Sequence, residues 1–435
     1  ATNVNISQNG ANINNLYGGS NTSGSVDKVI INHQRGTTSN LYGGNNEGGN
    51  TINTTINYID GTSSNLYGGG NKTNSATTTI NITNGSIDNL YGGGNEAGID
   101  DTTINIENGK FQNVFGGANK SGNVTNTNIT VTNGTITNLY GGNNAGGNTI
   151  NPIVTIKNGS IDNLFGGGNL AVADKSDVTI ENGTFKTIYG GGNEASITNS
   201  TMLIINGGNI ASNIYGGGNY GTVGKDTTVL INDATILGSA YAGGHGSLAT
   251  VKGNTSITVN GTTTIGSDTS KAPLSGSLFG GGNAASTGLE SENNSTTVVN
   301  IAGATIYGNV YGGANTSTIY GKSNVYIGKT AILENNTNLN YDSTNNAYTN
   351  NYSKITFDDT FKNATGDYWN DYLNITNTST NAIKNFTLIL DTGDNTLNQC
   401  YNCKFTKEGN LTYITPNIYY EGQSVIDANG TLTLS

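Results

Sequence analysis

Residues 78–99 read T-T-I-N-I-T-N-G-S-I-D-N-L-Y-G-G-G-N-E-A-G-I, and this stretch decides the fold of the chain. Apolar and polar residues alternate over 80–82, as they do in a strand that buries one face. Asn84 and Gly85 then predict a tight turn, because both residue types tolerate the backbone conformations that a turn requires. A second short strand runs up to Tyr91, and the glycines after it turn the chain again. One stretch therefore predicts two strands and two turns.

The same pattern recurs along most of the chain. An aromatic residue followed by a glycine-rich turn occurs twelve times, and most intervals are 24–26 residues long. The aromatic positions are Tyr17, Tyr42, Tyr67, Tyr91, Phe115, Tyr140, Phe165, Tyr189, Tyr215, Tyr241, Phe279 and Tyr311. A single unit cannot bury its inner face, so the units stack and each strand pairs with its equivalents above and below. The sequence predicts an all-β chain, a parallel β-helix of about 12 coils with 24–26 residues per coil, and right-handed winding.

Stacking of equal coils predicts columns of identical side chains. The structural columns expected from the sequence include the aromatic residues Tyr67, Tyr91 and Tyr140 and the asparagines Asn65, Asn89, Asn71 and Asn95. Asparagine suits a bend, because its amide can bond to the neighbouring coil and its backbone tolerates turns. Outward rings would offer a column for binding polysaccharide, whereas inward rings would form a stacked core. Phenylalanine at three of the twelve positions favours the inward orientation, because no hydroxyl is needed there.

The motif N-L-Y-G-G-G-N of residues 65–71 and 89–95, preceded by T-I-N-I-T-N-G of residues 79–85, resembles the β-solenoid repeats of bacterial cell-surface and adhesin-like proteins. The resemblance covers roughly residues 1–330. It implies a parallel β-helix displayed outside the cell as a stalk or as a ligand-binding rod. It carries no catalytic signature, so it implies no catalytic residue in this chain.

From about residue 331 the repeat disappears, and residues 331–435 are predicted to form a small β-rich C-terminal domain or cap. A cap would cover the unpaired strand edges at the end of a solenoid of residues 1–330. Within the C-terminal segment, aromatic and acidic residues cluster at 366–372. The candidate carbohydrate ligands there are Asp367, Tyr368, Trp369, Asp371 and Tyr372, because sugars bind to aromatic faces and to polar side chains. The alternative is that these residues form the hydrophobic centre of this domain.

Two intervals of the repeat are longer than the others, from Tyr241 to Phe279 and from there to Tyr311. Extra loops on a rigid scaffold are a common place for function. In this region His245 replaces the asparagine of the usual turn, and Lys252 and Lys271 follow it, so these three residues are candidate ligand-binding residues. Ordinary sequence drift in loops is the alternative. We predict no metal site, and Ca²⁺ stays an alternative ligand.

The composition excludes several classes of function. The chain has 435 residues with 18 basic and 29 acidic side chains, and Arg35 is its only arginine. A surface of this kind does not attract a phosphate backbone, so we predict that the chain does not bind nucleic acid. No apolar run is long enough to span a bilayer.

Cys400 and Cys403 cannot complete a four-ligand zinc site, and they are candidates for a local disulfide or for two thiols.

Scarce charges, cysteines and methionines predict an extracellular protein at the cell surface. We expect an adhesin or structural stalk that binds carbohydrate or another host or cell-surface ligand, with no cofactor. No enzyme is expected, because the repeats lack the clustered base and carboxylates of a polysaccharide lyase. Three alternatives stay open: a fibre that self-associates through the solenoid ends, a polysaccharide lyase or hydrolase, and an ice-binding protein with outward threonine and asparagine columns.

Overall fold

The computed structural model describes residues 3–267, 276–308 and 310–333 and short strands between residues 339 and 434. The chain divides into two compact units, Ala1–Ile204 with Gly218–Thr222 and Ile205–Gly217 with Val223–Ser435. Between them the units contain about 13 coils of a parallel β-solenoid. The prediction of an all-β parallel β-helix is confirmed, and the described residues contain no helix. The handedness of the coils stays a prediction.

The first unit consists of two stacks of parallel strands that alternate along the chain. Its strands are β1 (Asn3–Tyr17), β2 (Val26–Tyr42), β3 (Thr51–Tyr58), β4 (Thr62–Tyr67), β5 (Ser75–Ile82), β6 (Ser86–Tyr91), β7 (Ile99–Ile106), β8 (Lys110–Phe115), β9 (Val124–Val131), β10 (Thr135–Tyr140), β11 (Thr149–Ile156), β12 (Ser160–Phe165), β13 (Ser176–Ile180), β14 (Thr184–Tyr189) and β15 (Thr201–Ile205). From β3 onward, odd-numbered strands up to β13 pair with one another, and even-numbered strands pair likewise up to β14. Each coil therefore contributes one strand to each stack.

The core of this unit is built from the inward positions of the two stacks. Ile56 pairs in register with Ile80, and Ile80 pairs with Ile104. All three side chains are fully buried, and the outward Asn81 between Ile80 and Ile82 is partly exposed. The two-residue alternation in the sequence thus separates a dry interior from a polar outer face, as a half-buried strand requires.

The second unit has the same architecture. Its strands are β16 (Asn209–Ile210), β17 (Ile214–Tyr215), β18 (Thr227–Asn232), β19 (Thr235–Ile236), β20 (Ala240–Tyr241), β21 (Thr255–Asn260), β22 (Thr264–Ile265), β23 (Leu278–Phe279), β24 (Ser295–Ile306), β25 (Val310–Tyr311), β26 (Gly321–Leu333), β27 (Leu339–Tyr341), β28 (Ser353–Thr356), β29 (Leu373–Thr376), β30 (Phe386–Asp391), β31 (Cys400–Tyr401), β32 (Cys403–Glu408), β33 (Leu411–Pro416), β34 (Ile418–Tyr420), β35 (Ser424–Ile426) and β36 (Leu432–Leu434). Many of them are only two or three residues long, although β24 and β26 have 12 and 13 residues.

The additional coil relative to the count of aromatic motifs has a clear origin. Strand β26 has no aromatic-glycine element after it, and yet it pairs in parallel with β24. Strand β30 then pairs in parallel with β26, and the antiparallel pairs β30–β33 and β32–β33 follow. Strands β34, β35 and β36 form a separate antiparallel sheet. The proposed boundary at residue 331 falls within β26 and stays a prediction.

Among the described residues, no helix has the length and apolar character to cross a membrane.

Candidate functional site: side-chain columns and the Asn-Gly edge

The aromatic residues of the first unit form one continuous column that faces inward. From Tyr17 to Tyr189, consecutive ring centroids lie 4.7–5.0 Å apart, and the ring planes are within 9° of parallel. Tyr67 and Tyr91 are both only 5% exposed. The rings therefore pack against one another as core, and their faces are not available for stacking on a sugar.

Burial also sets the ionisation of these phenols. Loss of water around the hydroxyls raises the pKa of Tyr67 and of Tyr91 to about 12. The Nδ2 of Asn119 lies 3.4 Å from the Tyr67 hydroxyl and donates to it, which partly offsets the effect of burial. The column is therefore neutral at physiological pH.

The first asparagine column lies just before the aromatic column. In it, the side chain of each asparagine donates from Nδ2 to the Oδ1 of the preceding coil, at 2.9–3.0 Å. Asn89 donates to Asn65 and accepts from Asn113, so both ends of its amide are used within the column. The members are Asn15, Asn40, Asn65, Asn89, Asn113, Asn138 and Asn163.

Two further asparagine columns follow the same rule. The column after the glycines connects nine coils of the first unit at 2.6–2.9 Å, and it includes Asn71 and Asn95. The third connects Asn57, Asn81 and Asn105 on the outer face of the strands. We call these three columns the asparagine ladders. Their amides are engaged in bonds between coils, as in the amide ladders of cross-β stacks.

The turns between the two stacks present asparagines of a different kind. Asn84, Asn108, Asn133, Asn158 and Asn182 each precede a glycine, and all five are exposed. We call this row the Asn-Gly edge. Asn84 makes one long contact with the Asp60 carboxylate, at 3.4 Å. Within the part of the chain that the structure describes, the other four amides have no hydrogen-bond partner, in contrast to the asparagine ladders.

The glycines of this edge allow the turns of neighbouring coils to approach one another closely. Gly134 has a φ of 119°, a left-handed conformation that favours glycine. A Cβ on Gly134 would lie 3.0 Å from the carbonyl oxygen of Gly109 in the coil below. The backbone also closes tightly, because the N–H of Thr135 donates to the same carbonyl oxygen at 2.9 Å. Backbone hydrogen bonds of this kind hold the edge together from coil to coil.

Two shallow grooves run across the coils of the first unit. One has a volume of about 460 Å³ and lies at the first part of the Asn-Gly edge, where it is lined by Asn84 and Asn108 and by Arg35, Asp60 and Lys110. The other has a volume of about 560 Å³ and follows the corner that precedes the odd-numbered strands. There Asn74 uses its Oδ1 to accept the N–H of Gly98 at 2.8 Å. The second groove is lined mainly by polar surface, whereas the groove at the Asn-Gly edge exposes more apolar than polar surface.

The structure places His245 in the second unit, at a distance of 5.0 Å between its ring centroid and that of Tyr215. Burial lowers the pKa of His245 below its usual value. Lys252 is exposed, and its backbone N–H donates to the carbonyl oxygen of Val223 at 2.9 Å. The structure records no contact that brings these two side chains together.

Several residues predicted from sequence lie outside the described part of the chain. They are Lys271, Asp367, Tyr368, Trp369, Asp371 and Tyr372. Cys400 begins β31 and Cys403 begins β32, but their side chains lie outside the described residues, so the disulfide stays a prediction. Among described residues, no group of three His, Cys, Asp or Glu side chains is placed to hold a metal ion. The expectations of no metal and no cofactor stay predictions.

Sequence reasoning missed a buried polar cluster in the first coils. His33 is fully buried, and its ring stacks on that of Tyr58 at 4.2 Å. Its Nδ1 lies 2.9 Å from the carbonyl oxygen of Asp60, and its Nε2 lies 3.2 Å from Thr38 Oγ1, which is 2.9 Å from Gln8 Oε1. The signal was present in the sequence, because Gln8, His33 and Tyr58 occupy a column that is otherwise isoleucine and valine.

Comparison of the chain with protein-family models, with curated proteins and with solved structures gives no match. The likeness to adhesin-like repeats therefore depends on the sequence motifs alone.

Proposed function

We propose that the chain is an extracellular structural stalk of the cell surface that acts as an adhesin and binds carbohydrate. The observation that carries this proposal is the continuity of the asparagine ladders and the aromatic column from coil to coil. These columns stabilise a stack of coils, and they leave separate polar side chains on the surface for ligand contact.

The stalk part of the proposal is supported by how the coils are held together. A side-chain hydrogen bond of this kind contributes about 1 kcal/mol net, and most coils in the ladders make two or more. Each ring of the aromatic column adds buried area and a stacked partner on either side. A coil in the middle of the first unit is thus fixed to both neighbours by backbone, amides and rings. Such a stack resists local opening, which is what a load-bearing or spacing element requires.

The carbohydrate part is supported by the chemistry of the exposed groups. Carboxamides and hydroxyls both donate and accept, which suits the vicinal hydroxyls of sugars. The chain has few charges, and Lys120 pairs with Glu96 of the preceding coil at 3.1 Å, so local fields on the surface are small. The buried rings cannot supply stacking faces, so in the first unit contact with a sugar would be polar.

The experiment has two parts. Antibody labelling and protease treatment of intact cells test the extracellular location, and we expect both reagents to reach the chain. Deletion of the gene should reduce adherence to carbohydrate-coated surfaces, and the purified chain should bind members of a glycan panel. Labelling only after lysis, or unchanged adherence together with no glycan bound, would contradict the proposal. Turnover of acidic polysaccharide, thermal hysteresis or concentration-dependent scattering would instead favour the enzyme, ice-binding or fibre alternatives.

A further inference from the structure

We propose that the Asn-Gly edge binds a neutral, extended, β-linked polysaccharide that lies across the coils with one sugar unit for each coil. This inference rests on the proposed function, because it takes carbohydrate as the ligand class. It adds the site, the direction of the chain and the kind of polymer.

The first argument is the contrast between asparagines of the same coils. Asn113 donates to Asn89 and accepts from Asn138, at 2.9 and 3.0 Å. Asn108, five residues earlier, has an exposed amide with no partner among the described residues. Asn133, Asn158 and Asn182 repeat this situation on the next three coils. The amides of Asn108, Asn133, Asn158 and Asn182 are therefore available to a ligand at no cost to the bonds between coils.

Hydroxyl groups stand beside these amides. Ser86, Thr135, Ser160 and Thr184 lie two residues after an edge asparagine, at the first position of their strands. All four are exposed, and their side chains have no hydrogen-bond partner in the described residues. On most coils the edge thus presents one free carboxamide and one free hydroxyl. Together they can bond two hydroxyls of one sugar.

The second argument is spacing. Lys110, Thr135, Ser160 and Thr184 pair in register from strand to strand, so equivalent atoms repeat once per coil. The centroids of the aromatic column give that repeat as 4.7–5.0 Å. An extended β-linked pyranose chain advances by nearly the same length for each sugar. Successive sugars can therefore meet successive coils, and because an extended β-1,4-linked chain turns alternate sugars over, equivalent sugar hydroxyls meet every second coil.

The third argument is access. The groove of about 460 Å³ is shallow and open at the surface, and Gly61, Gly85 and Gly109 are among the residues that line it. A Cβ at Gly109 would lie 2.9 Å from the carbonyl oxygen of Gly85, and one at Gly134 would lie 3.0 Å from that of Gly109, so the close approach of the coils favours glycine here. The carbonyl oxygen of Gly109 already accepts the N–H of Thr135, so this backbone group has a hydrogen-bond partner within the protein. The ligand therefore meets the side chains and leaves the backbone bonds intact.

Charge indicates a neutral polymer. Positive and negative side chains near the edge are equal in number. The positive ones are Arg35, Lys110 and Lys157, and the negative ones are Asp60, Glu107 and Glu181. The carboxylates of a chain of uronic acids would be attracted by the three positive side chains and repelled by the three negative ones. A neutral glucan or a chain of N-acetylhexosamines meets no such conflict.

The binding experiment uses the whole chain and soluble β-1,4-linked glucose oligosaccharides of two to seven sugars, followed by calorimetric titration. Without exposed rings each sugar adds little affinity, so binding should strengthen with each sugar up to about five, the number of coils in the Asn-Gly edge. Replacing three amides together, Asn108→Ala, Asn133→Ala and Asn158→Ala, should reduce affinity for the longest oligosaccharide about tenfold or more, which corresponds to about 1.4 kcal/mol.

The matched control is Thr103→Ala, Thr125→Ala and Asn128→Ala, three outward changes on strands of neighbouring coils, and it should leave affinity unchanged. An affinity that does not rise with length, or an edge variant that binds as tightly as the control, overturns the inference. If glycans bind the chain elsewhere, the proposed function survives and this site does not. If the chain binds no glycan of any class, the carbohydrate part of the proposed function fails as well.

Discussion

The ring of His33 stacks on the ring of Tyr58 with 4.2 Å between centroids and 7° between planes, inside a column that the next coils fill with isoleucine and valine. The Nδ1 of His33 faces a carbonyl oxygen and must carry a proton to bond to it. Thr38 has one hydroxyl proton, which can go either to His33 Nε2 or to Gln8 Oε1. Neutral His33 therefore leaves one of these contacts without a proton, and charged His33 completes both.

Burial opposes that charged form and outweighs the hydrogen bonds, so the pKa of His33 is lowered from its usual value of about 6.5. In the unfolded chain the ring takes up a proton more readily than in the folded chain. Stability is therefore fully present above about pH 6.5 and falls as the pH drops below it. Urea unfolding at pH 7.5 and pH 5.5 should show a lower midpoint at the lower pH.

The variant His33→Phe keeps an aromatic ring on Tyr58 and removes the titration, so it should lose part of that pH dependence. His245 also has a lowered pKa, and His245→Asn restores the asparagine that other coils carry at this position. The double variant should show an almost constant midpoint between these two pH values. A double variant with the pH dependence of the parent chain would contradict the assignment.

The tyrosine column predicts the opposite behaviour at high pH. Burial raises the pKa of Tyr42, Tyr67, Tyr91 and Tyr189 to about 12, from the ordinary value of about 10. The unfolded chain therefore loses phenolic protons first, so stability is complete below about pH 10 and falls as the pH rises toward 12. Ultraviolet absorbance of tyrosinate should rise together with unfolding. Tyr67→Phe with Tyr91→Phe should shift the alkaline transition upward, and an unchanged transition would contradict this explanation.

The tight turns of the Asn-Gly edge make a prediction about Gly134. Alanine there would adopt a φ of 119° and would place its Cβ 3.0 Å from the carbonyl oxygen of Gly109. We expect Gly134→Ala to lower the free energy of unfolding by more than about 1 kcal/mol. The neighbouring Thr132 is exposed and should tolerate alanine within about 0.5 kcal/mol. Equal stability of the two variants in urea would show that the turn relaxes around a side chain.

The repeat made the architecture predictable, because a fixed interval between Tyr67, Tyr91 and Phe115 admits only stacked coils. The alternation around Ile80 also predicted which side chains face inward. Strand β26 escaped the count of coils, because pairing with β24 needs backbone groups and not the aromatic motif. The His33 cluster escaped because its partners lie 5 to 30 residues apart in sequence.

The Asn-Gly edge was the least predictable feature. Asn108 and Asn113 belong to the same residue type, lie on the same coil and repeat at the same interval. Nothing in that pattern tells a bonded amide from a free one. The difference arises from secondary structure. Asn113 lies in strand β8, where strand pairing places its amide within hydrogen-bond distance of Asn89, whereas Asn108 lies in the turn between β7 and β8, outside the paired strands.

The most direct test of the account compares Asn108→Ala with Asn113→Ala, measuring both urea stability and affinity for a β-1,4-linked glucose hexasaccharide. Asn113→Ala removes the donor to Asn89 Oδ1 and the acceptor for Asn138 Nδ2, whereas the bonds of these two residues to Asn65 and Asn163 remain. It should lower the free energy of unfolding by about 1–3 kcal/mol with little change in affinity. Asn108→Ala should weaken binding and change stability by less than about 0.5 kcal/mol. Two variants with the same stability and the same affinity would contradict the division of these asparagines into structural and ligand-binding sets.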